Sequence, residues 1–231
     1  MGAWVAALCV LAGALLGAFA GFVTTLFMVP SFISTLAVGG VAYSVARWLS
    51  GQRSVSMDAA QRDELFGWMI STTYGIPNEL LIAAGLLLIC WFIERRTLLG
   101  RNLKAIGAGE LAAVASGIPV ARYKIAAFAL SGALAALAGL LFAVKLSGGA
   151  PNVANGFLLP AIVAVLVGGT PLTGGVGGVI NTMIGALIVA VIRASMLYLE
   201  IEATQQQMFF GLILIAAIAF TIDRAKLRIV K

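Results

Sequence analysis

Histidine is absent from this 231-residue sequence, and charged residues make up only 10% of it. Without histidine, the chain cannot form a zinc site of the histidine type, a Ser-His-Asp triad or an imidazole acid–base catalyst. Soluble domains carry about 25% charged residues, so the scarcity of charge excludes a soluble globular domain, whose surface needs polar side chains. The composition also excludes disorder, which requires low hydrophobicity and high net charge.

Cysteine is also scarce, and the two that occur, Cys9 and Cys90, both lie inside apolar runs. Such cysteines are typical of small buried hydrophobic residues. Hydrophobic residues make up 61% of the chain, and the mean hydropathy is +1.07. Segments of alternating polarity do not recur, so a membrane β-barrel is not expected. The composition therefore predicts an all-α, polytopic helical membrane protein in a lipid bilayer.

Stretches that are long and apolar enough to cross a bilayer recur along the chain. A transmembrane helix needs about 20 mostly apolar residues, and the sequence predicts six full spans: 3–27, 30–49, 79–93, 124–144, 176–197 and 207–222. A seventh stretch, 156–169, has 14 residues and reaches only about 21 Å as a helix. We expect it to be a short interior helix, within an irregular interior region at 145–178.

The distribution of Lys and Arg predicts which loops face the cytoplasm. The loop 94–124 holds six of the 15 and the C-terminal tail holds four, and cytoplasmic loops are enriched in these residues. We therefore expect that loop and the C-terminus to be cytoplasmic, and the loop 51–78 to lie outside. The net charge of +6 reflects this bias, so we expect no nucleic-acid partner. For the loop and the tail to share one side, 156–169 must count as a crossing.

Glycine is abundant, with 27 residues, and its spacing is regular in places. Gly13, Gly17 and Gly21 follow one another at intervals of four, and Ala135 and Gly139 repeat that interval. Small residues at this spacing let helices approach closely. Packing within the chain and dimerisation both use such a pattern, and we expect packing within the chain.

The predicted cytoplasmic loop contains a segment that is compatible with a short helix, at 109–116. Gly117 is expected to end this helix in a left-handed conformation, and Pro119 prevents its continuation. A short apolar helix that projects from the membrane is suited to enter a cleft of a partner protein and convert closure of that cleft into helix movement. The alternative is a loop helix that lies on the membrane surface.

Several segments carry a family resemblance when they are taken together. The loop 100–119 reads GRNLKAIGAGELAAVASGIP, and the stretch 156–170 reads GFLLPAIVAVLVGGT. GGVGG follows at 174–178, and PSFISTL occurs earlier at 30–36. These motifs resemble the permease subunits of bacterial ABC importers for ribose and similar monosaccharides, in a superfamily that includes branched-chain amino acid permeases. The resemblance covers nearly the whole chain.

The resemblance implies a single transmembrane permease domain over 1–231, of the type II-like ABC importer kind, with a cytoplasmic coupling loop at 94–123. It implies import of a monosaccharide across the bacterial inner membrane by alternating access. The chain has no Gly-x-x-x-x-Gly-Lys-Ser/Thr motif, so it is not expected to be an enzyme or to bind a cofactor. ATP and Mg would be held by a partner ABC ATPase. The other implied partners are a second permease copy or paralogue and an extracytoplasmic solute-binding protein.

The beginning of the chain also bears on this resemblance. Two predicted spans precede the loop 51–78, so if this loop is outside, Met1 is outside as well. We expect spans upstream of Met1 to be missing, because this explains an outside start most simply. The resemblance implies the same, because roughly the first third of a typical permease has no counterpart. We therefore expect a truncated protein or a subunit fragment.

The resemblance assigns ATPase coupling to seven residues of the loop: Gly107, Glu110, Leu111, Ala112, Ala113, Ser116 and Gly117. The loop departs from its relatives at Gly109, where they usually have Asn. It departs again at Leu111, usually an acid, and at Val114, usually a basic residue. These departures remove charges that would form salt bridges with an ATPase.

Polar residues in or beside the short segment are candidates for the translocation path: Asn152, Asn155, Thr170 and Asn181. Polar residues at membrane depth usually face the bundle interior or a water-filled cavity. We hypothesise that 151–178 lines or gates the path, and the alternative is backbone capping by Asn and Thr. Three basic residues near the outer ends of spans are expected to reach the interface instead: Arg47, Lys145 and Arg193.

Other functions stay open at this point. One alternative is a permease of the same ATP-driven type for another solute, such as a branched-chain amino acid or a nucleoside. Another is a truncated, non-transporting assembly subunit. A proton- or ion-coupled secondary transporter is disfavoured, because no acidic residue falls near the middle of a predicted span. A membrane enzyme is disfavoured by the absence of histidine, of a Gly-x-Ser-x-Gly motif and of a close acidic pair within a span.

Overall fold

The computed structural model describes residues 2–171 and 174–221, and most of them are helical. The helices in chain order are α1 (Gly2–Leu26), α2 (Ser31–Leu49), α3 (Ala59–Ile70), α4 (Asn78–Arg96), α5 (Leu98–Ala108), α6 (Glu110–Ala115), α7 (Val120–Lys145), α8 (Leu158–Val167), α9 (Val179–Tyr198) and α10 (Ala203–Thr221). Four strands of two residues each join them, namely β1 (Val55–Ser56), β2 (Thr72–Thr73), β3 (Ile76–Pro77) and β4 (Gly148–Gly149). The prediction of an all-α, polytopic helical membrane protein is confirmed.

Within the part of the chain that the structure describes, four helices are long and apolar enough to cross a membrane by length and composition, and they match four predicted spans: Trp4–Leu26, Ser31–Leu49, Val120–Lys145 and Val179–Tyr198. The predicted span 79–93 lies within α4, which has 19 residues and carries Arg95 and Arg96 in its last turn. The predicted span 207–222 lies within α10 except for Ile222, which falls outside the described residues.

The chain folds into two compact units, the first comprising Met1–Leu86 and Ala113–Val153, the second Leu87–Ala112 and Ala154–Lys231. The single permease domain over 1–231 stays a prediction. In the first unit, α1 packs along α7 through small residues. A Cβ on Gly17 would lie 2.1 Å from the carbonyl oxygen of Phe128, and one on Gly132 would lie 2.2 Å from that of Gly13. The expected glycine packing therefore occurs within the chain.

Part of the predicted glycine pattern does not take part in this contact. A Cβ on Gly139 would meet no atom within 4 Å, so Gly139 is not a packing residue of α7. Gly132 takes that role instead, opposite Gly13 and Gly17. Cys9 is half-buried rather than fully buried, and it forms no disulfide. The same holds for Cys90.

The first unit has its apolar core where α3 meets α7. Phe66 and Met69 of α3 are buried together with Leu140 and Val144 of α7. The loop 51–78, polar in sequence, therefore contributes two large apolar side chains to a core. Strand β1 pairs antiparallel with β4, with Val55 opposite Gly149, and β2 pairs with β3 in a hairpin.

The second unit is built around the short helix α8. Val163 and Ala164 of α8 are buried with Val189 and Met196 of α9 and with Phe210 of α10. α8 begins after a 3-10 turn at Asn155–Phe157, and four of its ten residues are buried. The segment predicted at 156–169 is thus an interior helix, because other helices cover it.

Glycine again sets the distance between two helices of this unit. A Cβ on Gly185 of α9 would lie 2.0 Å from the carbonyl oxygen of Ala164. A Cβ on Gly168, just beyond α8, would lie 2.4 Å from the carbonyl oxygen of Asn181. α8 and α9 therefore cross with their backbones almost in contact.

Candidate coupling and translocation site

Helix α6, in the predicted coupling loop, has six residues and ends at a left-handed glycine. Gly117 has a φ of +78°, and its N–H donates to the carbonyl of Val114 at 2.9 Å. The N–H of Ile118 donates to the carbonyl of Ala113 at 3.1 Å. These two bonds form a Schellman motif, and Pro119 then begins α7 as its N-cap residue. The helix end predicted at Gly117 is therefore present.

The side chains of α6 leave an apolar surface exposed. Leu111 is 88% exposed and Val114 is 57% exposed, whereas Ala113 is buried. The other predicted coupling residues on or beside this helix are also exposed: Glu110, Ala112, Ser116 and Gly117. Exposed apolar surface rimmed by polar residues is compatible with an interaction site, and the coupling role of α6 stays a prediction.

Gly107, the remaining predicted coupling residue, lies against backbone of its own unit. A Cβ on Gly107 would lie 2.3 Å from the amide nitrogen of Gly175. Gly175 has a φ of +81°, and a Cβ there would lie 2.8 Å from the carbonyl carbon of Gly107. Both positions therefore require glycine, and their contact joins the end of α5 to the glycine-rich segment that precedes α9.

Glu94, in the last turn of α4, binds two other elements of the second unit. One carboxylate oxygen accepts a hydrogen bond from the amide of Val179, the first residue of α9, at 2.8 Å. The other oxygen lies 2.6 Å from Nζ of Lys104 in α5. A carboxylate at a helix N-terminus satisfies a free N–H and interacts favourably with the helix dipole. Glu94 therefore connects α4, α5 and α9.

The electrostatics at Glu94 favour its ionised form. Partial burial raises the pKa of the carboxyl. The hydrogen bonds from Lys104 and Val179 and the charge of Lys104 lower the pKa by more than burial raises it, so the pKa lies below its ordinary value. Sequence reasoning missed this residue, because Glu94 directly precedes Arg95 and Arg96 and looks like part of a charged boundary. Its partner at Val179 lies 85 residues away, and no local pattern indicates that pairing.

The predicted path residues fall in different places. Asn152 belongs to the first unit, whereas Asn155, Thr170 and Asn181 belong to the second. Asn155 begins the 3-10 turn before α8, and Thr170 follows α8, where its hydroxyl lies 3.5 Å from that of Thr182. The structure brings Thr170 and the start of α9 together and leaves Asn155 at the opposite end of α8.

The three basic residues expected at the interface all have partners within the fold. Arg47 donates to the side chain of Gln52 at 3.0 Å. Lys145 lies 2.8 Å from the carboxylate of Glu79. The Arg193 guanidinium lies 4.3 Å from the centre of the Phe157 ring, a cation–π contact that joins α9 to the turn before α8.

The described helices, with the interior helix α8 and the exposed helix α6, are those of a polytopic helical membrane protein. Residues 1–218 match the family described as "Branched-chain amino acid transport system / permease component", and the chain belongs to this family. No solved structure matches the chain.

Curated relatives from Escherichia coli (strain K12) are named as sugar or ABC transporter permeases. The probable ABC transporter permease protein YphD is 36% identical over 192 residues, 83% of this chain and 57% of that protein. The ribose import permease protein RbsC is 33% identical over 207 residues, 89% of this chain and 64% of that protein. The L-arabinose transport system permease protein AraH is 33% identical over 206 residues, 89% of this chain and 61% of that protein. The chain thus spans about 60% of the length of these relatives.

Proposed function

We propose that this chain is the permease subunit of an ATP-driven importer for a monosaccharide in the bacterial inner membrane. Family membership supports this proposal, as do relatives named for ribose and L-arabinose. The observation that carries it is the exposed apolar surface of α6, with Leu111 88% exposed. A helix of this kind in the predicted cytoplasmic loop is suited to a cleft on a partner ATPase. ATP and Mg bind to that partner, and this chain hydrolyses nothing.

The contacts of the second unit give a route for movement from the loop to the membrane helices. α5 and α6 are separated by the single residue Gly109, so a displacement of α6 reaches α5 along the chain. From α5, the Lys104–Glu94 pair and the Gly107–Gly175 contact lead to the start of α9. α9 packs on α8, so closure of the ATPase pair changes the α8–α9 crossing.

The α8–α9 region is the proposed wall of the sugar path in the second unit. Its polar candidates are Asn155, Thr170 and Asn181, whereas Asn152 belongs to the first unit and its place in the path stays a prediction. Hydroxyl and amide groups suit a sugar because they exchange hydrogen bonds with its hydroxyls. A solute-binding protein delivers the sugar on the outer side, and a second permease copy or paralogue completes the path.

The first test is co-purification of an ATPase from gently solubilised native membranes. We expect an ABC ATPase to co-purify with the wild-type chain and to be lost with Leu111→Ser, because the substitution removes the exposed apolar side chain of α6. Tyr74→Ser is the matched control, since Tyr74 is 100% exposed but lies in the loop predicted to be outside. Loss with both variants, or with neither, contradicts the coupling role of α6.

The second test separates the possible solutes. Cells that carry the chain with its co-purified partners are given radiolabelled ribose, L-arabinose, leucine or uridine. Uptake of a sugar supports the proposal. Uptake of leucine or uridine alone contradicts the proposed solute but leaves the proposed ATP-driven importer in place. If an ATPase co-purifies but no solute enters, the chain is an assembly subunit. Asn155→Ala and Asn181→Ala should reduce uptake without releasing the ATPase, and unchanged uptake contradicts their place in the path.

A further inference from the structure

A cavity of about 300 Å³ lies in the first unit, where the end of α2 meets the segment after β4. Its polar lining combines two arginines with neutral donors and acceptors: Tyr43, Arg47, Gln52, Arg53, Ser54 and Asn152. Among the described residues that line it, none carries a carboxylate. The cavity therefore has two positive charges that no acidic group on its own wall neutralises.

The backbone holds the two walls of this cavity in place. One wall, 52–54, directly precedes β1, and the other, 150–152, directly follows β4. β1 and β4 pair with Val55 opposite Gly149, so the walls face each other across the end of the ladder. A Cβ on Gly148 would lie 2.7 Å from the carbonyl oxygen of Val55, so the tight pairing depends on glycine there.

The end of α2 brings Arg53 back toward Arg47. Gly51 and Gln52 both have left-handed φ angles, +59° and +63°. The N–H of Gln52 donates to the carbonyl of Arg47 at 2.9 Å, which closes the helix in a Schellman motif. The Arg47 guanidinium is then fixed by the side chain of Gln52 and by the Tyr43 ring, 5.8 Å from the guanidinium carbon to the ring centre.

Arg53 differs from Arg47 in having its donors available. Within the described residues, its side chain makes no hydrogen bond, ion pair or ring contact, although it lines the cavity. Arginine presents donors in a planar fork that matches phosphate oxygens, and pairs of such donors are the common means of phosphate recognition. One fixed and one available guanidinium on one cavity wall suit a phosphate group.

The neighbouring residues indicate where this cavity lies relative to lipid. Trp48 and Leu49, at the end of the apolar helix α2, are 79% and 72% exposed. Exposed tryptophan at the end of a membrane helix is typical of the headgroup region. We propose that the cavity lined by Arg47 and Arg53 binds a phosphate group, either of a phospholipid headgroup or of a free phosphate. This proposal does not depend on the cargo or on the ATPase.

The test measures binding to the purified full chain in a neutral detergent. Native mass spectrometry follows titration with dioleoylphosphatidylglycerol, and dioleoylglycerol serves as the lipid without phosphate. Equilibrium dialysis measures binding of inorganic phosphate. We expect the phosphate-bearing lipid to bind and Arg47→Gln/Arg53→Gln to weaken it at least tenfold. Binding of lipid but not of inorganic phosphate assigns the cavity to a headgroup, and competition of the two assigns it to free phosphate as well.

Two further variants keep the test decisive. Arg101→Gln/Arg122→Gln removes the same charge from exposed positions elsewhere, and it should leave affinity within about twofold of the wild type. Arg53→Gln alone removes a side chain without partners among the described residues, so it serves if the double variant does not fold, and it should weaken binding severalfold. Equal weakening by the Arg101/Arg122 variant, unchanged affinity of Arg53→Gln, or absence of binding by both phosphate probes overturns the proposal.

Discussion

The close contact between α1 and α7 predicts that Gly17→Ala destabilises the fold. The added Cβ would lie 2.1 Å from the carbonyl oxygen of Phe128 and 3.2 Å from Cα of Gly132. A carbon and a carbonyl oxygen ordinarily approach to about 3.3 Å. Both neighbours are backbone atoms of α7, so no side-chain rotation relieves the clash. The two helices must therefore separate by about 1 Å where they cross.

The size of the effect follows from two opposing contributions. Overpacking of a tight contact costs about 1–3 kcal/mol, and a clash with backbone belongs at the upper end of that range. Replacing glycine by alanine within a helix returns about 1 kcal/mol. The net loss is then about 2 kcal/mol, which corresponds to a fall in Tm of about 4–8 °C for a domain of this size.

The assay is thermal unfolding of the purified full chain in detergent, with Gly139→Ala as the matched control. Gly139 also lies in α7, but a Cβ there would meet no atom within 4 Å. The control should therefore melt at the wild-type temperature or a few degrees above it. A Tm for Gly17→Ala at or above that of the wild type, or an equal fall in the control, would refute the close approach of α1 and α7.

Two other substitutions test the second unit by the same melting assay. Glu94→Gln removes the ion pair with Lys104 and should lower the Tm at neutral pH. The pKa of Glu94 is lowered in the fold, so the stabilisation by its charge is present above the ordinary carboxyl pKa and is lost as the pH falls through the lowered pKa. The Tm difference between variant and wild type must therefore shrink in acid, and a constant difference contradicts the role of the charge. Glu200→Gly replaces a residue with a φ of +54° at the left-handed position after α9, where a side chain costs about 1–2 kcal/mol and the backbone freedom of glycine offsets about 0.5–1 kcal/mol of that gain. The substitution should therefore stabilise the fold by up to about 1 kcal/mol, and an unchanged or lower Tm contradicts a steric cost at Glu200.

Hydrophobic length predicted the elements of this fold well. The apolar stretches 3–27, 30–49, 124–144 and 176–197 agree with α1, α2, α7 and α9 to within a few residues, because a run of about 20 apolar residues has few other stable conformations in lipid. Gly117 and Pro119 likewise predicted the end of α6, since the Schellman motif depends on local residues.

Pairings between distant segments were not predictable from such patterns. Gly132, the glycine of α7 that α1 contacts, lies outside the four-residue spacing of Ala135 and Gly139. That spacing suggested a contact surface that α1 does not use. The buried Phe66 and Met69 were hidden in a loop of mixed polarity. Each of these depends on which helix lies opposite, and hydrophobic periodicity does not contain that information.

The two bonds on the Glu94 carboxylate are unequal in strength, and this sets the order in which they break. The Lys104 side chain is 49% exposed, and an ion pair open to water contributes about 0–1 kcal/mol. The hydrogen bond to the Val179 amide is charge-assisted and part-buried, a type that contributes about 1.5–3 kcal/mol. A displacement of α5 is therefore expected to stretch the Lys104 pair before the Val179 hydrogen bond. Glu94 then keeps α4 joined to α9, while the Gly107–Gly175 contact carries the displacement to the start of α9.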